Sequence, residues 1–248
     1  MTAVPRIILA LPAFNEAENL PPLITAAERT FQGARFPYQI IVVDDGSTDS
    51  TRAVLDAMAA EGRPVRVVPH PENRGLGAAI MTAIRAAVEA AESDDDIVVN
   101  MDADNTHDPA YIVPMVEKLA AGCDIVIASR FRGGSREVGV PLVRRLMSRG
   151  ARLVFRLALR LPEVRDYTCG YRAYRVGLLR EALRRYGDAL ITRRGFACTD
   201  ELLVKLAGIT RRVGEVPFVL RYDQKRGRSK MPLLRTIWET LRLLVLHR

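Results

Sequence analysis

Cysteine is scarce in this chain of 248 residues: Cys123, Cys169 and Cys198 are the whole supply, and no two of them form a C-x-x-C pair. That argues against a zinc ribbon and against a disulfide framework, and it makes a reducing cytosol the expected setting. No run of uncharged apolar residues reaches the ~18 that a membrane-spanning helix needs. The apolar opening Ile7–Leu11 is too short for a signal-peptide core and runs into Glu16 and Glu18, so it reads as a strand. Also missing are an internal repeat, a low-complexity tract and a linker. One domain over residues 1–231 is therefore expected, with 232–248 as a helical appendage. Neither a Ser-His-Asp set nor a Cys-His pair can be assembled, and no helix-turn-helix or RNP pattern occurs.

What is present is an ordinary globular composition, 48% hydrophobic and 27% charged, which excludes wholesale disorder. The net charge of +8 conceals an asymmetry. Residues 1–129 hold 9 lysines and arginines against 19 acidic residues, a net of −10; residues 130–248 hold 28 against 10, a net of +18. An acidic half suits a cation, and a basic half suits phosphates on a nucleotide, a nucleic acid or a membrane.

Short runs rich in Ile and Val read as strands buried on both faces: Arg6–Leu11, Gln39–Val43, Pro64–Val68, Asp96–Met101 and Asp124–Ala128. Between them, Glu16–Phe31, Thr48–Ala60, Leu76–Ala91 and Pro109–Ala121 carry helical periodicity. Asn15 with Glu18 has the form of a capping box, and Asp108 before Pro109 that of an N-cap. The alternation implies an α/β fold, a mostly parallel sheet with helices on both faces, whose ligands bind beyond the strand carboxyl ends. In the second half, Gly133–Gly139 reads as a loop, Pro141–Leu161 as an arginine-rich helix and Thr199–Leu206 as a helix. Arg212–Arg221 reads as a strand, Gln224–Lys230 as a basic loop and Pro232–Leu246 as an amphipathic helix with Trp238 on its apolar side.

The chemistry-bearing residues gather at the expected strand ends. Asp102-Ala103-Asp104 closes a buried strand; two carboxylates this close repel each other and favour a divalent cation, with Mg²⁺ or Mn²⁺ suited to oxygen ligands. Asp44 and Asp45 end another strand and are read as binding a base or ribose, whereas Ser47 and Asp49 are read as capping the next helix. Phe14, after the first strand, either faces a base or packs in the core. His107 either reaches a metal or phosphate or caps the following turn. His70 and His247 carry no signal. Arginine forks match phosphates, so Arg130, Arg144, Arg149, Arg226, Arg228 and Lys230 are read together as a basic set suited to phosphate, and Arg144 and Ser148, four residues apart, share one helix face. Gly75-Leu76-Gly77 lacks the third glycine of a dinucleotide fingerprint, and its glycines are expected to let the helix start close to the sheet.

Taken in order, Pro12-Ala13-Phe14-Asn15-Glu16, Val43-Asp44-Asp45-Gly46-Ser47, Asn73-Arg74-Gly75-Leu76-Gly77 and Met101-Asp102-Ala103-Asp104 resemble the successive motifs of GT-A fold, family 2 glycosyltransferases. Ala128-Ser129-Arg130-Phe131, Gly170-Tyr171-Arg172, Glu215-Val216-Pro217 and Gly227-Arg228-Ser229-Lys230 extend the likeness to the dolichol- and polyprenol-phosphate mannosyltransferases and their bacterial relatives. The resemblance implies an inverting, metal-dependent transfer of a hexose from a nucleotide sugar, of the GDP-mannose or UDP-glucose type, to a polyprenyl or dolichyl phosphate. It implies Mg²⁺ or Mn²⁺ at Asp102, Asp104 and Thr106. It implies a nucleotide-sugar site of Pro12, Ala13, Phe14, Glu16, Val43, Asp44, Asp45, Asp102 and Ala103. Asp104 and Arg130 would then serve catalysis, and Arg144, Ser148, Ser229 and Lys230 the acceptor phosphate. Two positions depart from the pattern: Thr106 stands where Gln is frequent, and Gln224 where Arg is frequent.

A phosphate acceptor needs no base, because a phosphate monoester with a second pKa near ~6 is mostly dianionic at neutral pH. A hydroxyl acceptor would need one, and Asp166, Asp200 and Glu201 are the candidates. The rival classes are a nucleic-acid-binding protein, which leaves the acidic strand ends without a role, and a nucleotidyltransferase, for which the first strand lacks a glycine-rich loop. No nucleic-acid partner is expected. Peripheral contact with the inner face of the cell membrane is expected if Pro232–Leu246 lies in a bilayer interface; the alternative is a helix docked on the core.

Overall fold

The computed structural model describes residues 4–159, 161 and 163–224. Five strands lie within two residues of the limits expected from the apolar runs: β1 (Ile7–Ala13), β2 (Tyr38–Asp44), β3 (Val65–Pro69), β4 (Ile97–Asn100) and β5 (Ile125–Ser129). Every residue of β1, β4 and β5 is buried, as continuous Ile/Val runs require when both faces of a sheet are covered. A short strand β6 (Arg136–Val138) follows, then β7 (Arg172–Arg175), β8 (Val213–Pro217) and β9 (Val219–Arg221). The main sheet has the order β3-β2-β1-β4-β7-β5-β8, and β6 pairs with β9 apart from it. β7 runs antiparallel to both its neighbours, and all other pairs are parallel.

The helices are α1 (Leu20–Ala34), α2 (Thr51–Ala60), α3 (Leu76–Ala90), α4 (Ile112–Ala120), α5 (Leu142–Leu159), α6 (Val176–Tyr186) and α7 (Ala197–Ala207). α1 buries Leu20, Leu23, Ile24, Ala27 and Phe31, the stripe that helical periodicity requires. α3 lies on β1 and β2, while α4 lies on β5, β7 and β8. Among the described residues no helix is long and apolar enough to cross a membrane.

Local chemistry corrects several expected boundaries. α1 starts at Leu20, not Glu16, because Pro21 and Pro22 lack N–H groups and fit only a first turn. Its N-cap is Asn19, so Asn15 and Glu18 form no capping box; Asn15 takes a left-handed φ of 55° instead. Asp108 caps as expected, accepting the Ala110 N–H at 2.9 Å. The segment Arg212–Arg221 is two strands in different sheets, divided at Pro217-Phe218. The loop Gly133–Gly139 contains β6, and the segment Asp166–Arg175 ends in β7. Residues 225–248, including Ser229, Lys230 and the expected helix Pro232–Leu246, lie outside the described residues, so the appendage remains an expectation.

Part of the charge asymmetry is settled within the fold. Asp94 meets Arg180 at 2.5 Å, Asp95 meets Arg175 at 2.9 Å and Asp124 meets Arg212 at 2.7 Å. The Asp94 and Asp95 pairs precede β4, at the opposite end of that strand from Asp102. The Asp94 and Asp95 pairs are exposed and contribute little stability; together with the buried Asp124 held by Arg212 they account for charges in both halves without any ligand.

Gly75 and Gly77 make room for another part of the chain, not for the sheet. A Cβ at Gly77 would stand 1.8 Å from the Arg193 carbonyl oxygen, and one at Gly75 would stand 2.9 Å from that of Arg194. Gly77 N–H donates to Arg194 O at 3.1 Å, and Gly75 has φ 92°. Gly77→Ala is therefore expected to destabilise the fold by about 1–3 kcal/mol through overpacking, as a lowered midpoint in urea. An unchanged midpoint would remove this contact from the account.

Candidate active site

From β1 the chain passes to β2 and β3 on one side and then crosses to β4 on the other. The strand order thus reverses between β1 and β4, where open α/β sheets form a ligand crevice. The loops after β1 and β2 are zipped together at its rim. Asn15 N–H donates to Ser47 Oγ at 2.9 Å, Thr48 N–H to Asn15 Oδ1 at 2.8 Å, and Glu16 N–H to Thr51 Oγ1 at 2.8 Å. Ser47 therefore serves the neighbouring loop and not a helix cap; the N-cap of α2 is Ser50, and Asp49, one residue before it, accepts the Thr51 N–H at 2.9 Å. Pro12, Ala13 and Val43 are buried in the sheet, and Phe14 is half-buried at the rim, outside the core.

The carboxylates after β2 have protein partners. Asp44 Oδ1 accepts the Ser47 N–H at 3.0 Å. Asp45 accepts from Arg74 N–H at 3.0 Å and Gly75 N–H at 2.9 Å, and its Oδ1 lies 2.7 Å from His70 Nδ1. The other ring nitrogen of His70 is 2.9 Å from Thr82 Oγ1. His70, silent in the sequence, is thus a buried link between β3, Asp45 and α3. The only sequence trace of it is its position directly after the strand β3.

Asp102 is half-buried and Asp104 buried, on the turn that follows β4. Thr106 donates its hydroxyl to Asp104 Oδ1 at 2.6 Å and its N–H to the same oxygen at 3.2 Å. Asn105, with φ 62°, donates to Asn19 O at 2.9 Å and ties the turn to α1. His107 Nδ1 accepts the Asp102 N–H at 3.3 Å, while its ring stacks on Tyr171 with centroids 5.0 Å apart. This histidine braces the carboxylate turn, a role distinct from both expected ones. The donor set is oxygen only, and among the described residues no three His, Cys, Asp or Glu side chains gather. Two carboxylates plus phosphate oxygens and water suit Mg²⁺ or Mn²⁺. Gly170 lies beside them: a Cβ there would make ordinary contact with Asp102 Oδ1 at 3.8 Å. These oxygens fit such a cation: Asp102 and Asp104 could hold it, while Thr106 orients Asp104.

Past β5, Arg130 is gripped by the fully buried Asp166. Its Nε and Nη2 each donate to Asp166 at 2.7 Å, and its backbone N–H at 2.9 Å. Nη2 also reaches Thr168 Oγ1 at 2.8 Å, and Nη1 points to Ser148 Oγ on α5 at 3.4 Å. Burial, the largest influence, opposes charge on both partners. Their mutual attraction outweighs it, raising the Arg130 pKa and lowering that of Asp166. Burial, and then Asp166, push the neighbouring Cys169 thiol up to about 12, so no thiolate adjoins this site. Arg144 lies on α5 with its side chain outside the described residues.

The base candidates separate on the same grounds. Asp166 is committed to Arg130. Glu201 accepts from Thr192 N–H at 2.8 Å, Thr192 Oγ1 at 2.7 Å, Arg193 N–H at 2.9 Å and Lys205 Nζ at 2.6 Å. Burial raises its pKa most, but these donors together bring it below the ordinary value. Asp200 is buried in the first turn of α7. Because Glu201's folded-state pKa is depressed, its stabilisation is complete above the unfolded pKa of ~4.3 and is lost as pH falls through the folded value. Glu201→Gln is thus expected to cost on the order of 3 kcal/mol at pH 7, leaving Lys205 buried without its partner. The deficit should shrink below about pH 4 in urea titrations; a deficit independent of pH would refute the ionic account.

The chain matches the family model described as Glycosyl transferase family 2 over residues 9–183. It is 31% identical over 226 residues to an undecaprenyl-phosphate mannosyltransferase of Micrococcus luteus, covering 91% of this chain and 87% of the relative. It is 32% identical over 238 residues to a dolichol-phosphate mannosyltransferase of Pyrococcus furiosus, covering 96% of this chain and 62% of the relative. The chain thus spans less than two thirds of that relative's length. Among solved structures, glucosyl-3-phosphoglycerate synthase from Mycobacterium tuberculosis in complex with Mn²⁺, uridine diphosphate and glucosyl-3-phosphoglycerate is alike with a TM-score of 0.68 at 24% identity. That likeness covers 99% of this chain and 80% of the other, and it is one of fold. With the ordered motifs and this sheet, the match over residues 9–183 establishes that the chain belongs to glycosyltransferase family 2, on a GT-A fold.

Proposed function

We propose that the protein transfers a hexose, with inversion, from a nucleotide sugar of the GDP-mannose or UDP-glucose type to a polyprenyl phosphate, using Mg²⁺ or Mn²⁺ held by Asp102 and Asp104. One observation carries the reading. The carboxylate pair follows β4, and Arg130, aimed at Ser148, follows β5; only β7 lies between those strands. Two strand spacings amount to about 10 Å, which leaves room for a hexosyl diphosphate on one side and an acceptor phosphate on the other.

The chemistry follows from that separation. The acceptor phosphate is already a nucleophile at neutral pH, so no side chain has to remove a proton. The obstacle is repulsion between two anions, about 4 kcal/mol for each pair of unit charges at 4 Å and an effective dielectric of 20. Arg130 opposes it on the acceptor side, joined by Arg144, Ser229 and Lys230 in this reading. When bound, the divalent cation neutralises the departing nucleoside diphosphate. Phe14 and Glu16, at the rim, line the base and sugar, and the buried Pro12, Ala13, Val43 and Ala103 support the loops beneath them. Asp44 and Asp45 shape the ribose side through the turns they hold. The engagement of Asp166 and Glu201 takes two of the three base candidates away from a hydroxyl acceptor and leaves Asp200, buried in the first turn of α7, as the third.

A lipid acceptor requires the enzyme to work at a membrane surface, and α5 suits that task. Leu142, Leu153 and Leu157 are 69%, 61% and 67% exposed on one side of the helix, flanked by the exposed Arg149 and Arg156. Phe155 is fully buried on the opposite side, where Ser148 meets Arg130. A leucine stripe edged by arginines fits an interface rich in anionic lipid, one helix thickness from the acceptor site.

The first test is nucleoside diphosphate release from GDP- and UDP-sugars with Mn²⁺ or Mg²⁺, with and without polyprenyl phosphate. Release that depends on the lipid is expected with one donor class, and lipid-independent release alone would sink the acceptor assignment. Asp104→Ala should lose metal-dependent nucleoside diphosphate binding in calorimetry, with unchanged circular dichroism; retained turnover would refute the metal assignment. Leu153→Glu with Leu157→Glu should reduce flotation with phosphatidylglycerol vesicles several-fold, while equal flotation would free α5 of this role.

A further inference from the structure

Two buried carboxylates stand behind Arg130, and the reaction itself uses neither. Glu215, on β8 opposite Ile127 of β5, has a side chain with no solvent exposure. Its Oε1 accepts the N–H groups of Arg165 and Asp166, both at 2.6 Å, and its Oε2 accepts from Arg132 Nε at 2.9 Å. The turn so fixed presents Asp166, which takes Nε and Nη2 of Arg130. Two like charges at close quarters, both out of water, are an expensive arrangement unless each is fully bonded. Backbone N–H groups and two arginines supply those bonds here.

We propose that Glu215 and Asp166 are positioning residues for the acceptor phosphate, acting in series: Glu215 sets the turn, Asp166 anchors Arg130, and only Nη1 is left to face Ser148 and the acceptor. The proposal rests on the acceptor reading above. Its physical content is a restriction. A guanidinium on a free side chain, about two strand spacings from Asp102, is attracted to the donor diphosphate as well as to the acceptor. Anchored on two nitrogens, Arg130 cannot swing toward the donor, and its charge is reserved for one phosphate.

The test compares Asp166→Asn, Glu215→Gln and the double variant. Series action predicts an acceptor KM raised about tenfold by Asp166→Asn, less by Glu215→Gln, and no further by the double variant, since groups sharing one network are not additive. The affinity for free nucleoside diphosphate, by calorimetry, should stay within about twofold or tighten as the freed arginine turns toward it. Log-additive losses, or equal losses of donor and acceptor affinity, would overturn the proposal. An arm without turnover records the Arg130 Nε–H resonance, assigned by its loss in Arg130→Lys. It should be protected from exchange in the parent and broadened in Glu215→Gln, which touches no atom of Arg130; an unchanged resonance there counts against the relay. Thr168→Val, which removes one Nη2 contact, provides a milder variant should Asp166→Asn not fold. If the parent shows no lipid-dependent release, the acceptor reading fails, and the resonance still decides whether Glu215 orders Arg130.

Discussion

Parallel strands bring their carboxyl ends to one edge of a sheet, and the polar chemistry of this chain is arranged around that constraint. β1, β2, β4, β5 and β8 all finish on the same edge, so the loops that follow them must be satisfied there without a ladder of their own. The one reversed strand completes the arrangement. Because β7 runs the other way, it starts at the edge where its neighbours end, and the segment leading into it, Asp166 to Tyr171, falls between the carboxylate turn and Arg130. Gly170 then sits beside Asp102, and Asp166 beside Arg130. A parallel β7 would have carried that segment to the far side of the sheet.

Irregular loops leave N–H groups unpaired, and here carboxylates take them up. Asp44, Asp45, Asp96, Asp104, Asp166, Glu201 and Glu215 are buried, and each accepts at least one backbone N–H. Asp45 does so at the N-terminus of α3, where negative charge is favoured by the exposed N–H groups. Acidic residues at such an edge thus have two trades. Some hold loops in shape, and Asp102 with Asp104 could, in the proposed reading, offer oxygen to a cation. A buried carboxylate without its donors would carry the full desolvation penalty, so the loops and their acids stand or fall together.

The sequence displayed the first of these levels better than the second. Continuous Ile/Val runs marked β1 to β5 within two residues; β1, β4 and β5 carry the apolar signature of strands covered on both faces, whereas β3, at the sheet edge, buries only Val65 and is not the doubly buried strand expected. β7 escaped because Arg172-Ala-Tyr-Arg175 has no such run: Arg172 is fully buried, but its guanidinium is held by the carbonyls of Tyr167 and Thr199, contacts that no local pattern displays. α6 escaped as well, although its buried Val176, Leu179 and Ala182 have helical spacing. At the site, the D-x-D pair, Arg130 and Ser148 were legible as residue types at known offsets. What they bond to was not: Asp166, Glu215 and His70 reach their partners across 36, 49 and 25 residues of chain, separations over which spacing carries no information.

The contact of Gly75 and Gly77 with the carbonyls of Arg193 and Arg194 joins the start of α3 to a segment more than a hundred residues away, beyond the stretch that matches the family model. That segment is also held by Glu201, so α7 and α3 share it. For anyone recombining relatives of this chain, the seam is therefore not at residue 130, where the charge changes sign. A hybrid that takes its first half from one parent and its second from another joins glycines fitted to one backbone with carbonyls placed by a different one. Residues 75–77 and 192–195 of this chain therefore form a single unit of exchange.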